Sequence, residues 1–148
     1  MDSFTVFRSN LRQRPVWMNA LMFFCLFMAI VYVPWDFFFK PVASDEEVWF
    51  GILLTGWWAK ATEPLHWAIY ALGAWGFWHM KSWLHPWALL YTAQVAIGML
   101  LWNLLDSRGG GIVSASVSAA PFAVLCMMLW RHRMLFGREI NQNAGDVG

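Results

Sequence analysis

Five polar or ionisable side chains in this 148-residue chain stand at the ends of long apolar stretches. They are Asp36, Glu63, His66, Asn103 and Asp106. Ionisable groups in or beside a membrane are costly and tend to mark function. A carboxyl group held against aromatic rings and away from water has a raised pKa, so it can donate a proton near neutral pH. The sequence therefore predicts Asp36 and Glu63 as catalytic residues.

The same acids also have structural interpretations. In the first turn of a helix, Glu63 complements the positive end of the helix dipole. Asp36 can simply end an apolar helix at the water boundary. Asp106 stands at a helix C-terminus, the unfavourable end for an acid, but Arg108 is close enough in sequence to offset its charge.

Polar and aromatic residues near these acids are the predicted ligand contacts. His66 lies one turn from Glu63, so it could share a proton with that acid or simply be solvated. Asn103 could equally form a hydrogen bond between helices. Indole rings can hold a cationic ligand against their faces. The predicted ligand-binding residues are Trp35, Trp58, His66, Trp67, Asn103 and Asp106.

A stripe of aromatic and small residues follows Glu63. Trp67 and Trp78 are eleven residues apart, which returns them to nearly the same helix face, with Ala71, Ala74 and Trp75 beside them. Rings alternating with small side chains can line a pocket for a flat apolar ligand, or they can face lipid.

Composition indicates a membrane protein that positions these residues on helices. The chain is 59% hydrophobic and 13% charged, a balance typical of membrane proteins. Four stretches approach the roughly 20 residues needed to cross a bilayer. Thr62 fits a helix N-cap and Pro64 a first helical turn, so the second span is predicted to begin there. We expect an all-α four-helix bundle with spans over 16–35, 64–80, 86–105 and 112–130, and a short interfacial or re-entrant segment over 48–58.

Three parts of the chain are distinguished by composition. Residues 1–15 form an N-terminal segment, 16–137 the transmembrane domain, and 138–148 a polar tail predicted to be disordered. In span four, small residues recur every four positions, which predicts a face that packs inside the bundle. Three glycines, Gly109, Gly110 and Gly111, predict a turn between spans three and four.

The distribution of basic residues predicts that both termini are cytoplasmic. This arrangement places seven lysines and arginines inside and three outside, following the positive-inside bias. Tryptophans then form a belt at each boundary. The inner basic residues are Arg8, Arg12, Arg14, Lys81, Arg131, Arg133 and Arg138, and the outer ones are Lys40, Lys60 and Arg108.

Several classes of function find no support in the sequence. A net charge of +1 without a basic stripe argues against nucleic acid as a partner. Cys25 and Cys126 both fall inside predicted spans, which favours reduced, buried thiols. His79, His85 and His132 gather at the inner side without carboxylate or thiolate support, so no metal is predicted, and no cofactor either.

The order of elements resembles the EXPERA-domain family, four-helix membrane proteins that include the emopamil-binding sterol isomerase and the sigma-two receptor. The residues that carry the resemblance are Asp36 at the end of span one, the run Trp57-Trp58-Ala59-Lys60-Ala61-Thr62-Glu63-Pro64, then His85-Pro86, and Ala120-Pro121-Phe122. The resemblance implies that Asp36 and Glu63 are the acid pair at a pocket for sterols or other lipids, where some members shift a double bond. Span two lacks a carboxylate within its apolar length, and span one lacks a histidine before Asp36; isomerase-type members use such residues.

Two functions from different classes follow. The first is a membrane protein that binds a lipid-like or sterol-like molecule at the outer end of the bundle and could isomerise it. The second is an accessory or assembly subunit of a larger membrane complex, and a homodimer is a further possibility. A transporter or proton-coupled channel is less favoured, because no span carries a charge in its middle. The tail lacks a basic retrieval signal, which favours a bacterial inner membrane.

Overall fold

The computed structural model describes residues 3–137, and the predicted disordered tail at 138–148 lies outside them. Within the described residues, long helices dominate and one β-hairpin interrupts them. The N-terminal segment, for which the sequence predicted no element, contains the first helix. The elements are α1 (Ser3–Arg12), α2 (Val16–Phe27), α3 (Val33–Phe39), β1 (Glu46–Trp49), β2 (Ile52–Thr55), α4 (Trp57–His79), α5 (Leu84–Leu105) and α6 (Gly111–Arg131).

The first apolar helix is longer than the sequence predicts. A π-helical turn at Met28–Tyr32 joins α2 to α3, so helical structure runs from Val16 to Phe39. The prediction that this span closes near Asp36 is therefore wrong. Pro34 stands in the first turn of α3, directly after the π-helical turn, where the regular hydrogen-bond ladder is already replaced. Asp36 consequently lies inside the helix and is buried.

The helix α4 begins earlier than predicted. Its N-cap is Gly56, and Pro64 lies inside the helix rather than in its first turn. Thr62 is not the N-cap, because its hydroxyl donates to the Ala59 carbonyl oxygen at 2.7 Å within the helix. Because the helix starts early, Lys60 and Glu63 both lie in α4. Their spacing of three residues makes their side chains neighbours on one helix face.

Within residues 3–137, three helical segments are long and apolar enough to cross a membrane: Val16–Phe39, Leu84–Leu105 and Gly111–Arg131. This finding confirms the prediction of a membrane protein. The helix α4 has 23 residues. Its length of about 35 Å also suffices to cross a bilayer. Its glycines, tryptophans and polar first turns lower its mean hydropathy, so α4 is not among the three.

The segment predicted as interfacial or re-entrant is a β-hairpin in its first part, so the chain is not purely helical. Strands β1 and β2 pair antiparallel, with Trp49 opposite Ile52. The two turn residues, Phe50 and Gly51, both have positive φ, at 52° and 84°. Positive φ at both positions is typical of the tight turns that match the twist of a hairpin.

Packing gives the molecule two distinct ends. At the arginine end, which carries Arg14 and the α4–α5 turn, the main hydrophobic core includes Met18, Phe77, Leu84 and Leu129. At the opposite hairpin end lie the β-hairpin, the end of α3 and the α5–α6 turn.

Helices α5 and α6 pack closely through small residues. Ala115 and Ala119 of α6 are buried at 0% and 8% exposure, as the spacing of small residues predicted. Gly109 and Gly110 lie in the predicted turn between α5 and α6, and Gly111 is the first residue of α6.

Candidate functional site

Five ionisable side chains meet at the hairpin end and form what we call the acid–lysine cluster: Asp36, Lys40, Asp45, Lys60 and Glu63. The Lys60 ammonium group lies 2.9 Å from Glu63 Oε1 and 3.3 Å from Asp45 Oδ2. It also donates to the Asp36 backbone oxygen at 2.6 Å. The Lys40 ammonium group lies 2.7 Å from Asp45 Oδ1 and 3.3 Å from Asp36 Oδ1. The cluster thus joins the end of α3, the following loop and the start of α4.

Local structure explains how these residues meet. Asp36 and Lys40 are four residues apart at the end of α3, and Lys60 and Glu63 are three apart in α4, so each pair shares a helix face. Asp45 is held between the two helices by the loop, because its backbone oxygen accepts a hydrogen bond from Gly56 N at 2.9 Å. The loop therefore brings a third carboxyl group to both lysines.

The cluster is largely buried, so its charges are stable only if they are paired. Asp36, Asp45 and Glu63 are 3%, 1% and 2% exposed, and Lys60 is 8% exposed. A buried charge is tolerated only when it is paired and hydrogen-bonded. Here three carboxyl groups face two ammonium groups, which leaves one negative charge unbalanced unless a carboxyl group carries a proton.

The carboxyl oxygens of Asp36, Asp45 and Glu63 lie within 4.8 Å of one another, close enough to ligate a metal ion. The Lys60 ammonium group lies among them, bound to oxygen atoms of all three residues. A lysine in that position supplies the positive charge that a metal ion would provide. The cluster is therefore better described as an internal ion-pair network than as a metal site.

One proton is best placed between Asp45 and Glu63. Burial raises the pKa of Asp45, but the adjacent Lys40 and Lys60 ammonium groups outweigh burial and hold its pKa below the ordinary 3.8. Asp45 is therefore ionised at neutral pH. The carboxyl oxygens of Asp45 and Glu63 lie within 4.8 Å of each other, and two like charges so close in a buried site are unfavourable, so we assign the proton to Glu63. With that proton, two carboxylates balance two ammonium groups.

This assignment predicts unequal effects of two similar substitutions. We expect Glu63→Gln to change the free energy of unfolding by less than about 1 kcal/mol, because an amide N–H can replace the carboxyl proton. We expect Asp45→Asn to cost about 2 kcal/mol, because both lysines lose a carboxylate partner. Unfolding of the detergent-purified variants, followed by tryptophan fluorescence, measures both. Equal losses, or a larger loss in Glu63→Gln, would contradict the proton assignment.

The structure brings the predicted pair Asp36 and Glu63 into one cluster. Sequence reasoning missed Lys40, Asp45 and Lys60. The spacing of Lys60 and Glu63 carries a signal, but only if the helix begins before Lys60. Asp45 stands in an acidic run, and nothing local distinguishes it from Glu46 and Glu47.

The other predicted polar residues at the hairpin end have separate partners. His66 Nδ1 lies 3.7 Å from Glu47 Oε2, and its ring stacks on Trp49 at 4.5 Å. Burial raises the pKa of Glu47. His66 is thus paired with the hairpin, and the structure shows Glu47, not Glu63, as its acidic neighbour.

Asn103 bridges α5 and α6, as its structural interpretation predicted. Its Oδ1 accepts from Ser114 Oγ at 2.7 Å, and its Nδ2 lies 3.1 Å from Ser118 Oγ. Asp106 pairs with Arg108 at 3.3 Å, and Arg108 also binds Glu46 of the hairpin at 3.0 Å. These contacts fasten the hairpin to the α5–α6 turn and leave both Asn103 and Asp106 outside the acid–lysine cluster.

The three predicted tryptophans differ in their surroundings. Trp35 and Trp58 are exposed, at 55% and 76%. Trp67 is held in place, because its indole N–H donates to the Ala29 carbonyl oxygen at 2.8 Å. That oxygen is available because the π-helical turn directs the Val33 N–H to Met28 instead.

An apolar groove of ≈ 470 Å³ lies between α1, α2 and α4, and we call it the aromatic groove. The whole stripe predicted from the sequence lies on its α4 wall. The acids Asp36 and Glu63 are not among its lining residues, and no lining residue is ionisable. The lining residues are Phe7, Met22, Phe23, Leu26, Ala29, Ile30, Trp67, Ala71, Ala74, Trp75 and Trp78.

Comparisons of this chain with models of protein families, with curated proteins and with solved structures found no match. The resemblance to EXPERA-domain proteins therefore stays a prediction. The fold and the contacts described above define the class as a helical membrane protein with a buried ion-pair network and an apolar groove.

Proposed function

We propose that this protein is a multi-pass membrane protein that binds a lipid-like or sterol-like molecule in the aromatic groove. In this proposal α4 also crosses the membrane, as the second of four spans, both termini are cytoplasmic, and the membrane is a bacterial inner membrane. The observation that carries the proposal is a groove between α1, α2 and α4 whose lining is entirely apolar and non-ionisable.

The shape and chemistry of the groove suit such a ligand. Its volume is ≈ 470 Å³, which lies within the range of small-molecule sites. Ala71 and Ala74 leave room between the rings of Trp67, Trp75 and Trp78. Flat faces beside small side chains favour an acyl chain or a fused ring system over a polar solute.

The geometry supports binding more than double-bond isomerisation. An isomerase needs an acid or base that can reach the ligand. The two predicted catalytic acids belong to the acid–lysine cluster, where Lys60 contacts both residues. Because charge balance explains why both acids lie in the cluster, we assign Asp36 and Glu63 to the scaffold that joins α3 to α4.

Filling the groove tests this function. We expect Ala71→Trp to reduce the amount of co-purified lipid about tenfold or more, because a loss of ~1.4 kcal/mol in binding already gives that factor. Ala71 is exposed and lines the groove, so the larger side chain can occupy the ligand's space without entering the core. Native mass spectrometry of protein purified gently from its own membrane, followed by lipid extraction, gives the measurement.

The matched control is Leu72→Trp, at the next position of the same helix. Leu72 is 53% exposed and is not among the lining residues, so this variant should retain the lipid. Equal retention by both variants would contradict the groove as the site. If the wild-type protein instead co-purifies stoichiometrically with a larger complex and no small molecule, the accessory-subunit function replaces this proposal.

A further inference from the structure

The N-terminal helix α1 carries two faces with different chemistry. One face lies on the bundle: the Phe7 ring stacks on Trp78 at 5.5 Å, and Asn19 Nδ2 donates to the Leu11 oxygen at 2.8 Å. Phe7 is also part of the lining of the aromatic groove. The other face is polar and exposed, so α1 joins the apolar groove to a polar surface at the arginine end.

The polar face of α1 carries two arginines that form no ion pair with the acids of residues 3–137. Its surface depression, ≈ 430 Å³, is lined by Phe4, Thr5, Arg8, Ser9, Arg12 and Gln13. Arg8 and Arg12 are one helical turn apart, so their guanidinium groups lie on the same side. Within residues 3–137, neither arginine takes part in an ion pair, and α1 contains no acidic residue.

A third arginine fixes the position of α1. Arg14 is 5% exposed; it donates to the Phe77 carbonyl oxygen and to Asn10 Oδ1, and it lies over the Trp78 ring at 5.3 Å. Trp78 therefore contacts Arg14 and Phe7 at once. Because these contacts anchor both the helix and its end, Arg8 and Arg12 are presented beside the groove rather than on a free arm.

From this arrangement we infer that the molecule in the aromatic groove is an anionic phospholipid whose phosphate group binds Arg8 and Arg12 on α1. This inference rests on the proposed function and adds the headgroup class to it. Guanidinium groups match phosphate oxygens in geometry and charge. Basic residues on an amphipathic helix at the cytoplasmic surface attract anionic lipids in the same way. Arg8 directly follows Phe7 in α1, so an acyl chain beside Phe7 and a phosphate at Arg8 and Arg12 would occupy both surfaces at once.

The test compares two phospholipids with identical acyl chains: dioleoyl phosphatidylglycerol, which is anionic, and dioleoyl phosphatidylcholine, which is zwitterionic. The full-length, delipidated protein is titrated with each lipid and the bound fractions are measured by native mass spectrometry. We expect wild-type protein to favour phosphatidylglycerol about tenfold or more, and raised salt to reduce the preference. We expect the double variant Arg8→Gln, Arg12→Gln to bind both lipids equally.

The control is Arg131→Gln, which removes an exposed arginine at the same end of the molecule and should keep the preference. Equal binding of the two lipids by wild-type protein overturns the inference but leaves the groove proposal standing. So does a preference that the double variant retains. If wild-type protein binds neither phospholipid, the phospholipid inference is overturned. If it also fails to bind a sterol in the same titration, the groove proposal is overturned as well.

Discussion

Replacing Lys60 with methionine is expected to destabilise the protein by about 3–5 kcal/mol, because it leaves buried carboxyl groups without their shared cation. Lys60 is 8% exposed and contacts oxygen atoms of Asp36, Asp45 and Glu63. Methionine fills a similar volume, so the loss reports charge and hydrogen bonding rather than a cavity. The readout is the unfolding of detergent-purified protein, followed by tryptophan fluorescence, together with the yield of folded protein.

The control substitution is Lys81→Met at the opposite end. Lys81 is exposed, and its ammonium group lies over the Trp75 ring at 5.5 Å. Because such an exposed contact is weak, we expect a loss below about 1 kcal/mol. A Lys60→Met protein as stable as Lys81→Met would show that the acid–lysine cluster does not join α3 to α4 as described. Charge balance in the cluster would then no longer require a proton on Glu63.

Adding a single methyl group at the hairpin turn, in Gly51→Ala, is expected to cost about 2–4 kcal/mol. Gly51 has a φ of +84°, which residues with side chains rarely adopt. Its added Cβ would also stand 2.6 Å from the Cβ of Leu101 in α5. The neighbouring atom belongs to a helix and cannot easily move away, so strain and overpacking add. Thermal unfolding in detergent measures the loss.

A second glycine separates the two contributions. Gly111 has a φ of +70°, but an added Cβ there would meet nothing within 4 Å. Gly111→Ala should therefore cost only about 1 kcal/mol, the backbone contribution alone. If both alanine variants lose the same stability, the hairpin tip does not press on α5, and its position against that helix must be different.

The apolar helices were predictable because their lengths and composition are set by the bilayer. The two C-terminal spans agree with α5 and α6 to within two residues. The start of α4 was not predictable, because Thr62 and Pro64 fit a helix start so well on local grounds. The contacts of Lys60 with α3 and the loop, which no local pattern reveals, stabilise the two extra turns.

Within the candidate site, the features set by local sequence were predictable and those set by long-range contacts were not. The stripe of Trp67, Ala71 and Trp78 could be found from periodicity alone, since all three lie on one helix face. The ion-pair network could not, because Asp45 reaches Lys60 only after a loop has folded back. The hairpin was also hidden: its strands are only four residues long, and its apolar residues fit an interfacial segment equally well.

The hairpin has a consequence for the thickness of the membrane around the protein. A two-stranded sheet has unpaired backbone groups along both edges, which lipid chains cannot satisfy. The tip of this hairpin reaches α5 at Gly98, where Phe50 N and Gly51 N lie within 4 Å of an ideal Cβ. From Leu84 to Gly98 the helix rises only about 21 Å, against about 30 Å for a typical hydrocarbon core. On this side we expect the bilayer to thin, so that headgroups and water reach the hairpin and the hydrophobic mismatch is relieved.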